Sequence, residues 1–302
     1  MALIDIGINL MNPAFDRDRE AVIERAAAEG VAPLVITGSS VESSAAALDF
    51  AAGYNRENAA GPGRRGKVYA AAGVHPHNAR HWKTETAETL RGLFARDWAV
   101  AAGECGLDYN RNFSSPPDQR RCFEAQLRLA AECHLPLFLH ERDAFEDFSS
   151  MLGSFRRGEG RAVVHCFTGT ERELDRYLEL GCYIGITGWI CDERRGAHLL
   201  PLLKKIPPDR LLLETDAPYL MPRNLPLASI PPPPASIPLP PASIPSPPAS
   251  IPSPCSRTAG RSGRNESAYL VHIAEFAARI LDKDPAVLAG ETFANTLRFF
   301  NI

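Results

Sequence analysis

The segment DRLLLETDAPYL (residues 209–220) sets three consecutive leucines, 211–213, against two acids, Glu214 and Asp216, and then Pro218. A short leucine run bounded by polar residues reads as a strand buried on both faces. A buried strand that finishes in two carboxylates either caps itself against water or aims acids into a site. The choice turns on whether other strands end in the same way.

Seven further apolar runs resemble this one: LIDIGI (3–8), PLVITG (33–38), VYAAAGV (68–74), WAVAAGE (98–104), LPLFLH (135–140), RAVVH (161–165) and GCYIGIT (181–187). Amphipathic stretches separate them, such as residues 18–30 and 118–134; in the second, Phe123, Leu127 and Ala130 share one helical face. Strand–helix alternation repeated eight times implies a parallel sheet with helical crossovers, and eight such units close most simply into an α/β (β/α)8 TIM barrel. A doubly wound open sheet is the competitor. No G-x-G-x-x-G follows the first strand, which counts against its dinucleotide-binding form.

The 302 residues, 45% hydrophobic, suit one large α/β domain. A net charge of -3 excludes a broad basic face, so a nucleic-acid partner must be gripped locally. No apolar run has transmembrane length and the N-terminus lacks a basic leader, so no membrane partner is expected. Seven cysteines without a C-x-x-C pair read as reduced thiols, hence a cytoplasmic chain, taken as a monomer. One segment departs from the alternation. In residues 226–254 the triplet Ala-Ser-Ile begins at 228, 235, 242 and 249, with proline in every copy. Proline forbids a helix there, so an extended, disordered insertion is expected. The division is therefore a barrel over 1–225, a Pro-rich insertion over 226–262, and C-terminal helices over 263–302 that cover the barrel's outside.

The strand ends repeat the opening pattern. The fourth run ends in Glu104, the fifth in His140, the sixth in His165, and the third leads into GVHPH with His75 and His77. In a parallel barrel all these ends open on one face. Imidazoles and carboxylates gathered on one rim make a divalent metal site, with Mg, Mn and Zn all open. Each residue taken singly has a plainer reading: a hydrogen-bonded histidine, a solvated acid, and, for Cys166, a core thiol on the far face of its strand. The joint pattern favours the site. Were the partner a nucleic acid, Arg142 and Arg223 would be candidates to hold its phosphate, since a guanidinium fork matches the oxygens; a salt bridge from Arg142 to Asp143 or Glu146 is the plain alternative. Tyr109 and Trp189 stand in loops after strands, where a ring could stack on a base.

The motifs DIGINL (5–10), GVHPH (73–77), GECGLDYNRNFSSP (103–116), LFLHERDA (137–144), VVHCFTGT (163–170), IGITGWICDERRG (184–196), LLLETDAPYLMPR (211–223) and GRNES (263–267) together resemble the TatD family of metal-dependent deoxyribonucleases. They run in family order over almost the whole chain; only the proline segment has no counterpart. The resemblance implies a TIM barrel in which Glu104, His140, His165 and Asp216 bind metal, Glu104 bridging where two ions are present. It places Glu214 and His75 in the same pocket. It also implies 3'-5' exonuclease action on DNA, on single strands or 3' ends, in repair or turnover. Many relatives carry H-x-H on the first strand, where this chain has Gly7 and Asn9. One firm ion is therefore expected, Mg before Mn or Zn, with a second weak or brought by substrate.

From these residues Asp216, Glu214 and Glu104 form the catalytic set. Asp216 takes the proton of a water and Glu214 orients the site. His75, Arg142, Arg223 and Asn9 form the substrate-binding set. A metal-dependent amidohydrolase or lactonase acting on a small molecule is the alternative, and a non-catalytic scaffold recruiting partners through the proline repeat is a further rival.

Overall fold

The computed structural model describes residues 1–59, 66–155, 160–226 and 263–302. Its strands are β1 (Leu3–Ile8), β2 (Val31–Thr37), β3 (Val68–Ala72), β4 (Ala99–Asp108), β5 (Leu137–Arg142), β6 (Ala162–Val164), β7 (Tyr183–Ile186) and β8 (Leu211–Leu213). They pair in that order and always in parallel. The helices are α1 (Arg19–Ala28), α2 (Val41–Glu57), α3 (Thr84–Phe94), α4 (Pro116–Glu132), α5 (Phe145–Phe155), α6 (Glu171–Glu179), α7 (Leu199–Leu203), α8 (Leu270–Ile280) and α9 (Pro285–Phe300). This is a TIM barrel. The expected proline-rich insertion and Cys255 lie outside the described residues.

Alternation along each strand separates two cores. Leu137 and Leu139 of β5 face the helical shell, while Phe138 faces the barrel interior with Ile6, Val163, Tyr183 and Leu212. Each strand is thus apolar on both sides, which is why the runs read as continuous. The interior is apolar through its lower part, and Phe299 and Phe300 at the end of α9 join it there, with Phe299 and Tyr183 ring centroids 5.1 Å apart. The last helix therefore ends against the interior, while α8 packs on the outer shell. The residues that follow the apolar ones along the same strand faces, at the C-terminal ends, are polar.

The seam between β8 and β1 closes just past β8. Asp216 N donates to Gly7 O (2.8 Å), Asn9 N to Ala217 O (2.7 Å), and Ile8 bridges to Ala217. Below these rungs a side chain supplies the link: buried Asp5 accepts from Thr215 N (2.9 Å), Thr215 Oγ1 (2.5 Å) and Ser267 Oγ (2.7 Å). The sequence GRNES is what ties the tail to this seam. Asn265 Nδ2 donates to Thr215 O and Tyr219 O, and Glu266 pairs with Arg25 at 2.7 Å. No helix among the described residues is long and apolar enough to cross a membrane.

Candidate metal centre

The fourth strand runs four residues past the expected end, because Leu107 and Asp108 continue to pair with Glu141 and Arg142 of β5. Cys105 and Leu107 join the outer core, so Glu104 and Asp108 share the other face. Glu104 is the hub. Its Oε1 lies 2.9 Å from His165 Nε2, 3.0 Å from His140 Nδ1 and 3.3 Å from His75 Nε2. The far nitrogen of His140, Nε2, meets Asp108 Oδ2 at 3.3 Å, and His77 Nε2 meets the same oxygen at 2.9 Å. Arg111 N closes the turn by donating to Asp108 Oδ1.

Glu214 is fully buried. Its Oε1 accepts from Cys166 N (2.5 Å), and its Oε2 lies 3.5 Å from His165 Nδ1. Neither Oε2 nor that Nδ1 has a hydrogen-bond partner. Asp216 takes φ 54°, a left-handed value that Asp tolerates better than most residues. Asn9 Nδ2 donates to its Oδ1 (2.9 Å). The glycine at the first-strand position has a physical reason here: a Cβ on Gly7 would stand 2.5 Å from Glu214 Oε2, and one on Gly185 equally close to Oε1. The Glu214 carboxylate fills the space left by these two bare positions on β1 and β7.

Burial and mutual charge split the titrations. Burial lowers His75 to about 4, keeping it neutral. Burial also opposes charge on His140, yet hydrogen bonds to Asp108 and Glu104 carry it up to about 9. For Glu104 burial works upward, but His75, His165 and His140 hold its carboxylate well below the usual range. Asp216 goes the other way: burial, with Glu104 and Glu214 adding, lifts it to about 7 against the pull of His165.

The structure therefore brings together His75, Glu104, His140, His165, Glu214, Asp216 and Asn9. Arg142 stands two residues beyond His140 on β5; the alternative salt bridges are not made, since Asp143 binds Asn110 and Glu146 binds Arg172. Arg223 is held apart from the cluster, its Nη1 buried 3.6 Å from Asp192. One reading needs correction. Cys166 is not a core thiol on the far face: φ 46° turns the chain there, and half-buried Sγ lies 3.7 Å from Thr187 Oγ1. Tyr109 spends its hydroxyl on Asp147 (2.6 Å), and the Trp189 ring is covered by the Arg195 guanidinium at 4.5 Å. Tyr109 is thereby held by its edge, and Trp189 is covered on one face; both are only partly exposed. Asp108 was missed, although the spacing Glu104-x-x-x-Asp108 in GECGLD marks it once the strand is known to continue.

His75, Glu104 and His140 each present a ligand atom, all within 4.8 Å of one another. With His165 Nε2 against the same Glu104 oxygen, this donor set of imidazoles and a carboxylate suits a divalent cation, which would replace the protons now shared between them.

A family model described as "TatD related DNase" matches residues 4–301. A protein of Cronobacter sakazakii named "3'-5' ssDNA/RNA exonuclease TatD" is 44% identical over 298 residues, covering 99% of this chain and 97% of that protein. One of Enterobacter lignolyticus with the same name is 43% identical over 300 residues, covering 99% of each. Among solved structures, the TatD homologue YJJV of Escherichia coli K12 superposes with a TM-score of 0.77 at 25% identity, covering 99% of this chain and 98% of that one. With the barrel, the strand-end cluster and these matches in agreement over the whole length, the chain belongs to the TatD-related DNase family.

Proposed function

We propose that this chain is a metal-dependent nuclease that removes nucleotides from the 3' ends of single-stranded DNA, with RNA as a second substrate. Two observations support it: relatives above 40% identity along the whole chain carry the exonuclease name, and imidazoles of three strands converge on Glu104 Oε1. The convergence carries the reading, because a buried carboxylate so surrounded is built for a cation. The alternative of a small-molecule amidohydrolase is not favoured by these whole-chain relatives.

In this proposal Glu104, His140, His165 and Asp216 would hold the metal, Mg before Mn or Zn, one ion firmly and a second with substrate. A bound divalent ion supplies Lewis acidity at the phosphoryl oxygen and lowers the pKa of a coordinated water. Asp216, steadied by Asn9 Nδ2, would take a proton from that water. Glu214 and Asn9 fix His165 and Asp216 from behind. His75 accepts from His77 N at Nδ1 and turns Nε2 to Glu104, so it would reach substrate only if a bound ion took over Glu104. Of the two guanidiniums, Arg142 is the better placed for phosphate, since Arg223 is already paired with Asp192. The free state of the cysteines among the described residues supports a cytoplasmic place, and a single chain assembles the whole cluster.

The test is nucleotide release from 3'-labelled single-stranded DNA with Mg, Mn or EDTA. Metal-dependent release is expected for the wild type, falling at least about a hundredfold in Asp216→Asn. Release that survives EDTA, or an Asp216→Asn enzyme as fast as wild type, would sink the proposal.

A further inference from the structure

Among the described residues, the large hydrophobic side chains left exposed are Met1, Phe113, Tyr219 and Val287. Scattered exposed hydrophobics are ordinary, so exposure alone argues nothing. Position does. Phe113 lies in the loop after β4, the strand that carries Glu104 and Asp108; Tyr219 lies three residues beyond Asp216, after β8. In the strand order β1 to β8 these two strands stand four apart in either direction, on opposite sides of the barrel mouth. The two exposed rings therefore flank the cluster from opposite rims, each 39% exposed.

Both rings are held in place from behind. Arg80 Nη1 donates to Phe113 O (3.1 Å), and the next residue, buried Ser114, donates to His77 O and accepts from Arg80 N. The Phe113 ring meets the His77 ring at 4.7 Å and 82°, and His77 meets His75 at 4.2 Å, so a chain of rings leads from the rim to the Glu104 hub. On the other side, Tyr219 N donates to Asp216 O (3.0 Å), Tyr219 O accepts from Asn265 Nδ2 (2.6 Å), and its hydroxyl accepts from Asn12 Nδ2 (3.0 Å). Anchored rings lose little freedom when a ligand stacks on them. The other mouth aromatics are less exposed: Tyr109 lies partly buried with its hydroxyl on Asp147, and the Arg195 guanidinium covers one face of partly buried Trp189.

We propose that Phe113 and Tyr219 form an aromatic clamp that stacks the bases on either side of the scissile phosphate of a single-stranded end. This rests on the nuclease reading above and deepens it to substrate selection. Every base offers a π face, so the clamp grips a strand without reading its sequence and accepts DNA and RNA alike. Paired bases are already stacked and cannot be shared with the rings, so the clamp selects unpaired ends.

The experiment measures kcat and KM for the wild type, Phe113→Leu, Tyr219→Leu, Phe113→Tyr and Tyr219→Phe. Each enzyme receives a 3'-labelled single-stranded oligonucleotide and the same strand with its two 3'-terminal bases removed. The leucine variants keep apolar bulk and lose the ring; the other two keep the ring. Each leucine variant is expected to raise KM about tenfold on the intact strand, with the loss falling on KM rather than kcat. The ring-keeping variants should hold the wild-type KM, and the abasic strand should bring wild type and leucine variants together. An unchanged KM in both leucine variants, or an equal loss on the abasic strand, overturns the clamp while leaving the nuclease standing. A wild type that neither binds nor cuts the intact strand overturns both.

Discussion

Asp5 shows how a buried charge can hold an active-site loop at a cost in stability. Its donors favour the carboxylate, but burial outweighs them and lifts it from 3.8 to about 6. A raised folded-state value means that folding favours the protonated form. Its contribution is thus fully present below about pH 4 and is lost as pH rises through about 6, a swing on the order of 3 kcal/mol. The difference in unfolding free energy between wild type and Asp5→Asn should therefore move in favour of the variant between about pH 4 and about pH 8. A pH-independent difference would show that Asp5 does not titrate in this range. Asp108 acts on a different link, from geometry to metal affinity. Its Oδ2 holds the His140 ring by the nitrogen remote from Glu104. Asp108→Asn is expected to weaken binding of Mn about 10- to 100-fold in a calorimetric titration, the usual effect of losing a carboxylate behind a metal-binding histidine. Unchanged affinity would confine Asp108 to the turn with Arg111.

At the scale of elements, the site depends on strands that lack side chains where others need room. Gly7 on β1 and Gly185 on β7 leave the slot that Glu214 fills. In Gly7→Ala the new methyl meets the far end of Glu214, a flexible group that can swing aside, so the barrel should fold with a loss of only about 1–3 kcal/mol. The displaced carboxylate, however, leaves Cys166 N and His165 Nδ1 without it. Nucleotide release should fall more than about tenfold while the melting temperature drops only modestly. Release equal to the wild type would show that Glu214 need not stand where it does.

At the scale of the molecule, the chain on each side of the proline-rich stretch is tied down independently. Leu225 N bonds Pro222 O before it; after it, Arg264 pairs with Asp18 at 2.6 Å and Asn265 bonds Thr215 and Tyr219. If the barrel and the C-terminal helices form the working unit, residues 226–262 are dispensable. Replacing residues 227–262 by a short Gly-Ser linker should leave the melting temperature within a few degrees and metal-dependent release intact, about twofold at most from wild type. Loss of the folded barrel on that replacement would overturn the division.

The sequence by itself determined the eight parallel strands and the polar face they share. Runs buried on both sides must be apolar throughout, and their ends were marked by Glu104, His140, His165, Glu214 and Asp216. What it left open is what depends on neighbours in space. Strand length is set by the partner, so β4 continues to Asp108 only because β5 does. Side-chain direction past a strand end is set by local turns, so Cys166 and Asp216 follow left-handed φ values rather than strand alternation. How far a mouth aromatic is exposed depends on what the fold packs against it: Tyr109 is partly buried with its hydroxyl on Asp147, Arg195 covers one face of Trp189, and Phe113 and Tyr219 remain exposed. Composition and periodicity record which residues avoid water; only the closed barrel decides which polar atoms meet.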